Sequence, residues 1–172
     1  MFFKGKIIWI VFAVLWFLAF SSACGYKFTG GGGLPQGIKT VYIAMLENRT
    51  SETGAENVFT NDLIYEFTKN NAMASKDQAD AYLSGIIKSM NIETISHRGT
   101  HTSLERRVKI ALDLKLTDTD GKVIWIAKDI SENEEYDVMS DKLATEQKRR
   151  DAISDLSKRL AEKIYNRLTE DF

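Results

Sequence analysis

The stretch LERRVKIALDLKL, residues 104–116, alternates without a break. Leu104, Arg106, Val108, Ile110, Leu112, Leu114 and Leu116 fall on one side, and Glu105, Arg107, Lys109, Asp113 and Lys115 on the other, with Ala111 among them. Period two over thirteen residues predicts a long strand with one face packed on a core and the other left to water. The neighbouring segments are read outward from it. Residues 118–122, DTDGK, predict a hairpin turn reversing at Asp120 and Gly121. Residues 123–130 then form the partner strand, and both of its alternating sets are apolar, so Trp125 belongs either to the core or to an interface. Upstream, residues 96–103 are a polar turn. Residues 81–95 form a further strand whose Gly85 and Asn91 predict a twist or bulge.

The rest of the chain supplies a parallel strand and two helices. VYIAML, residues 41–46, is apolar on both faces and reads as a covered strand ended by ENRT, residues 47–50. Thr53 and Glu56 have capping-box spacing, and Phe59, Leu63 and Phe67 recur every four residues, which predicts a helix over 55–69. Residues 132–135 form an acidic loop. Met139, Leu143, Ile153, Leu156, Leu160, Ile164 and Leu168 keep helical spacing over 139–169. Such a helix is about 46 Å long at 1.5 Å per residue and outruns a small sheet, so part of it should project or meet a partner. The order β-α-β-β-β-α fits a two-layer α/β sandwich: a mixed four-stranded sheet with two helices on one face. Its other face, carrying Arg107, Lys109 and Lys115, is left uncovered.

The chain has 172 residues, 23 Lys and Arg against 24 Asp and Glu, enough for one domain with a real core. It carries no basic bias, which argues against a nucleic-acid partner. One cysteine forms no internal disulfide, and with two histidines it cannot close a zinc site without carboxylates.

That cysteine sits at the end of a leader. Lys4 and Lys6 precede fourteen uncharged apolar residues, 7–20, then Ser21, Ser22, Ala23 and Cys24. Fourteen is short of the roughly 20 needed to span a bilayer and fits the apolar region of a secretory signal. The junction resembles the lipobox of bacterial lipoproteins, with Ala23 as the small residue before the cysteine and Ser21 where leucine is usual. That resemblance implies cleavage before Cys24, acylation there, and, since Gly25 is not aspartate, passage to the outer membrane. The alternative is a membrane-spanning helix extended to Tyr26. Removing residues 1–23 leaves 21 basic side chains against 24 acidic. The expected organisation is a signal peptide over 1–23, an acylated N-terminus and tether over 24–37 containing Gly30 to Gly33, and a single α/β domain over 38–172. Those glycines are no phosphate loop, because Leu34 and Pro35 follow where lysine and Ser or Thr are needed.

No catalytic pattern is legible. His97 and His101 flank Gly99 in a polar turn and lack the glutamate of a zincin helix, Ser96 has no nucleophile elbow, and a Cys24 consumed by acylation is no nucleophile. No enzyme activity and no cofactor are expected. Basic groups stand out more. Arg98, Arg106 and Arg107 lie near one end of the sheet, Lys122 at the opposite hairpin, and Lys109 and Lys115 between them on the open face, while Lys148, Arg149 and Arg150 form a run on the last helix. Each serves solubility, or meets phosphates or a partner's carboxylates.

The lipobox cysteine, the CGYKF start at 24–28, the strand IKTVYIAMLENRT running into a helix, the element order and the long last helix together resemble the LPS-assembly lipoprotein family LptE. The resemblance implies a non-catalytic outer-membrane lipoprotein that plugs the lumen of a large β-barrel partner, LptD, and helps deliver lipopolysaccharide to the outer leaflet, with basic residues meeting its phosphates. From charge and placement, Arg98, Arg106, Arg107 and Lys122 are the candidate contacts. The ENRT strand end also resembles lipoproteins of other envelope systems, a secretion-channel component or an activator of cell-wall synthesis.

Overall fold

Val108, Ile110, Leu112 and Leu116 are completely buried and Leu114 nearly so, which makes the apolar set of the alternating strand the floor of the core. In this computed structural model, which describes residues 33–96 and 104–170, that strand is β4 (Leu104–Asp118). It pairs antiparallel with β3 (Ala81–Ser96) on one side and β5 (Val123–Asp137) on the other. Beyond β3 lies an edge made of two short pieces, β1 (Val41–Ile43) and β2 (Glu47–Asn48), both parallel to β3. The sheet is mixed, as expected.

The expected single strand over 41–46 is interrupted because its backbone leaves the ladder to bury Leu46. The Leu46 amide donates to Thr60 Oγ1 at 3.0 Å instead of to the sheet, Leu46 is 2% exposed, and Met45 turns outward at 62%. This step passes over Gly85, the position on β3 with no side chain to oppose it.

Helix α1 (Ala55–Lys69) buries Phe59, Leu63 and Phe67, the residues its periodicity singled out. Its start differs from the expected capping box. The cap is Gly54, in the left-handed region at φ +87°, with no side-chain capping bond. Asn48 does the ordering instead: its Oδ1 accepts from the Thr50 amide at 2.9 Å and hydroxyl at 2.8 Å, and its Nδ2 donates at 2.8 Å to both Glu52 O and Glu56 Oε2. ENRT is therefore a built strand-to-helix turn.

Helix α2 (Lys142–Glu170) begins three residues later than its apolar spacing suggested, because Asp141 caps it. The Asp141 carboxylate accepts from the Leu143 and Ala144 amides, each at 3.2 Å. Met139 and Leu143 are exposed, and the buried stripe runs through Ile153, Leu156, Leu160, Ile164 and Leu168. Both helices cover the same face of the sheet, α1 over β1 and β2, and α2 along β5. Phe67 and Tyr165 join them edge to face with ring centres 5.2 Å apart. Leu34 and Pro35, at a short turn over Pro35–Gly37, are buried. Trp125 is 7% exposed and belongs to the core.

The acidic loop expected at 132–135 is strand. β5 continues to Asp137 because α2 supplies cations for it: Lys163 Nζ lies 3.1 Å from Glu132 Oε2, and Arg159 pairs with Glu134. Fifteen residues of β5, about 50 Å at 3.4 Å each, match the 29 residues of α2, about 43 Å. The long helix thus has a sheet of its own length to lie on.

Candidate functional site

The sheet face opposite the helices is assembled by register. Lys115 stands beside Ser84 and Ile126, Lys109 beside Asn91 and Asn133, and Arg107 beside Glu93 and Glu135. No described element covers it.

Two bulges face each other across β4 near the middle of this surface. On β3, Lys88 is the extra residue between Ile87 and Ser89; on β5, the shift lies between the partners of Leu112 and Leu114 and puts Asp129 at φ +54°. Both turn toward Asp113. The Asp129 amide donates to Asp113 Oδ1 at 2.8 Å, and Lys88 Nζ sits 2.6 Å from Asp129 Oδ1 and 3.4 Å from Asp113 Oδ2. The Asp129 amide, with help from Lys88, holds the Asp113 carboxyl below its ordinary range, and the bond to Asp129 raises Lys88. Paired bulges bend a sheet and raise its twist, so this triad marks the line where the proximal half, nearest the 118–122 hairpin, meets the distal half.

The proximal half holds a shallow depression of about 530 Å³ lined by Met45, Ile86, Asp113, Lys115, Ile126 and Lys128, among others. Ile126 is 55% exposed, and Lys115 and Lys128 enter no ion pair among the described residues. Apolar area beside ammonium groups that sit outside any close ion pair suits an amphiphile or a partner that brings acid and hydrocarbon together. Lys122 stands at the neighbouring hairpin, where Asp118 fastens the turn by accepting from the Lys122 amide at 2.8 Å.

In the distal half, Arg107 is already engaged. Its Nε donates to Glu135 Oε1 at 3.1 Å, its Nη2 pairs with the same oxygen, and this bond raises the guanidinium. Arg106 is exposed and, by alternation, lies on the opposite face of β4, beside Thr94 and Tyr136. Arg98, His97 and His101 lie outside the described residues, as do Cys24 and the leader. The candidates thus do not form one cluster: eleven residues of β4, about 37 Å, separate Arg107 from the turn that carries Lys122. Of the basic run on α2, Arg149 is a clamp within the fold, bonded to Glu52 at 2.7 Å and to Glu146 at 2.9 Å. Lys88 and Lys128 escaped the sequence reading. A signal for their surroundings existed, since the core-facing residues Trp125, Ala127 and Ile130 step by two and then by three, the spacing a bulge leaves.

Among the described residues no group of three or more His, Cys, Asp or Glu side chains could hold a metal ion. The open sheet face offers charge, hydrogen-bonding groups and apolar area.

A family model described as LptE, lipopolysaccharide-assembly, matches residues 38–168. No curated protein matches the chain. Solved structures share its fold: a minor lipoprotein from Acinetobacter baumannii (14% identity, 77% of this chain and 92% of that one, TM-score 0.53), the rare lipoprotein B from Shewanella oneidensis (12%, 76% and 95%, 0.52), and a lipoprotein B from Nitrosomonas europaea (15%, 84% and 90%, 0.51).

Proposed function

The chain belongs to the LptE lipopolysaccharide-assembly family, a non-catalytic family of outer-membrane lipoproteins, and on that premise we propose that its α/β body seats in the lumen of an LptD-like β-barrel and presents lipopolysaccharide to it. The observation that carries this reading is the uncovered sheet face. It is polar over most of its length and balanced by its own pairs, Lys88 with Asp113 and Asp129, and Arg107 with Glu135. A barrel lumen is polar and wet, and a surface of this kind can be enclosed there without burying bare charge. Residues 1–23 are removed as a signal, Cys24 carries the lipid, and the glycine-rich tether gives the body its reach, ending at Leu34, which is already packed in the core.

Pull-down of the intact protein after mild extraction should recover a large outer-membrane β-barrel at one-to-one ratio. A self-assembled ring with no barrel would overturn the reading.

Arg106 and Arg107, on opposite faces of the distal part of β4, and Lys122 at the proximal hairpin are separate contacts, with Arg98, which lies outside the described residues, as a fourth, so one phosphate cannot meet both ends. Replacing the three arginines with alanine should weaken lipopolysaccharide binding about tenfold, the loss of one or two charge-assisted bonds. Lys122→Ala should add its own smaller loss independently, as distant sites do. Unchanged titration of the triple variant removes the distal site and leaves the plug role standing.

A further inference from the structure

The two edges of the sheet are finished differently. Along β5, Lys163 Nζ donates to the Ser131 carbonyl and Arg159 Nη2 to the Asn133 carbonyl, each at 2.9 Å, so α2 occupies main-chain acceptors on that side. Along β3, neighbours reach only to Ile87, whose carbonyl accepts from the Arg49 amide at 3.0 Å. From residue 89 to 95 nothing among the described residues pairs with the outer edge of β3. Asn91, Ile92, Glu93 and Thr94 are exposed there, and the run contains no proline and no lysine. Ile92 is 44% exposed although Val108, its partner on β4, is completely buried. Among the described residues no strand lies beside Ile92, which leaves one of its flanks bare.

Proteins guard free edges with charge, proline, bulges or a covering element, since an open ladder invites pairing. Here one edge is guarded over its acidic half and the other, at the same level of the sheet, is not. We propose that the edge of β3 over residues 89–95 takes an extended segment of the barrel partner as an added strand. This rests on the plug reading above. A closed barrel wall has no free strand to give, so the segment is a loop or terminal stretch of that chain. Main-chain bonds would hold it, and alternate side chains would set its chemistry. On the helix side it brings an apolar residue to cover Ile92; on the open face it brings a basic residue to the exposed Glu93, which Arg107 reaches only through space while its hydrogen bonds go to Glu135.

The test uses the full chain co-expressed with its barrel, carrying a photo-crosslinking residue at Ile92 or at Thr94. Both positions should crosslink to one contiguous barrel segment, at sites about two residues apart, as a ladder requires. Ile92→Lys should keep the wild-type melting curve and lower barrel recovery at least tenfold. Adducts between two copies of this chain, scattered adducts along the barrel wall, or undiminished recovery of the Ile92→Lys variant would each overturn the proposal while barrel co-purification persists. If the unsubstituted chain recovers no barrel, the plug reading itself fails and this one falls with it.

Discussion

An alanine at Gly85 destabilises the domain by about 3 kcal/mol and lowers its melting temperature by roughly 10 °C. A Cβ at this position would stand 2.3 Å from Leu114 Cδ2, 2.7 Å from the Asp113 carbonyl oxygen and 3.1 Å from Leu46 Cδ2. The three neighbours differ in how far they can yield. Leu114 and Leu46 are 1% and 2% exposed, so their methyls move only into packed core. The Asp113 carbonyl is main chain of β4, on the very residue that joins the two bulges, and has nowhere to go. Gly85 has no left-handed φ, so space and not conformation is at stake. Gly121 is the natural control: it has φ +84° and nothing within 4 Å of a Cβ, so alanine there carries only backbone strain of about 1 kcal/mol. Urea and thermal unfolding of the mature chain measure both. Adding Leu114→Ala to Gly85→Ala should restore part of the loss attributed to the clash, giving a coupling energy of opposite sign to the single losses. A Gly85→Ala variant that melts with the wild type means the close approach does not exist.

The same residue shows what the sequence could and could not tell. A glycine inside an apolar strand announces an irregularity, and Asn91 had equal claim to it. Only the fold reveals that the bulge falls between them at Lys88, and that Gly85 marks the place where Leu46 passes over the strand. β4 was legible from end to end because its own backbone is unbroken; both bulges sit on its neighbours, where a break in alternation is easily taken for a strand end. The acidic stretch 132–135 looked like a loop because local sequence shows four polar residues and nothing to neutralise them. Their partners, Lys163 and Arg159, lie about 25 to 31 residues away on a helix. Register decides the site as well. Arg107 and Lys109 are equivalent basic residues on one face in the sequence, but pairing sets Glu135 beside the first and Asn133 beside the second, so one is neutralised and the other is not. Composition finds charges, and only topology finds which of them are spent.

Substituting Cys24 with alanine should remove the protein from the outer membrane almost completely and leave a chain about 2 kDa heavier than the mature form, its leader still attached. The lipobox reading requires both changes together, because the thiol is the group that accepts the lipid and processing before it follows that step. Each buried CH₂ contributes about 0.8 kcal/mol, and a single acyl chain gives only marginal binding, so two or more chains on one cysteine hold the protein firmly where none would not hold it at all. Among the described residues no helix is long and apolar enough to cross a membrane. The fourteen apolar residues at 7–20 reach about 21 Å as a helix, short of the 30 Å of hydrocarbon they would have to span. A spanning helix extended to Tyr26 makes the opposite forecast, with Cys24→Ala neither changing the mass nor moving the protein. Membrane fractionation with intact-mass measurement separates the two. A companion chain whose leader is exchanged for one cut by ordinary signal peptidase, with alanine at 24 and produced in excess over the barrel partner, should appear folded in the periplasm beyond the fraction seated in the barrel, because the core runs from Leu34 to Leu168 within the body itself. Retention of the whole excess at the outer membrane would mean that a contact other than the acyl chains and the barrel seat does the anchoring.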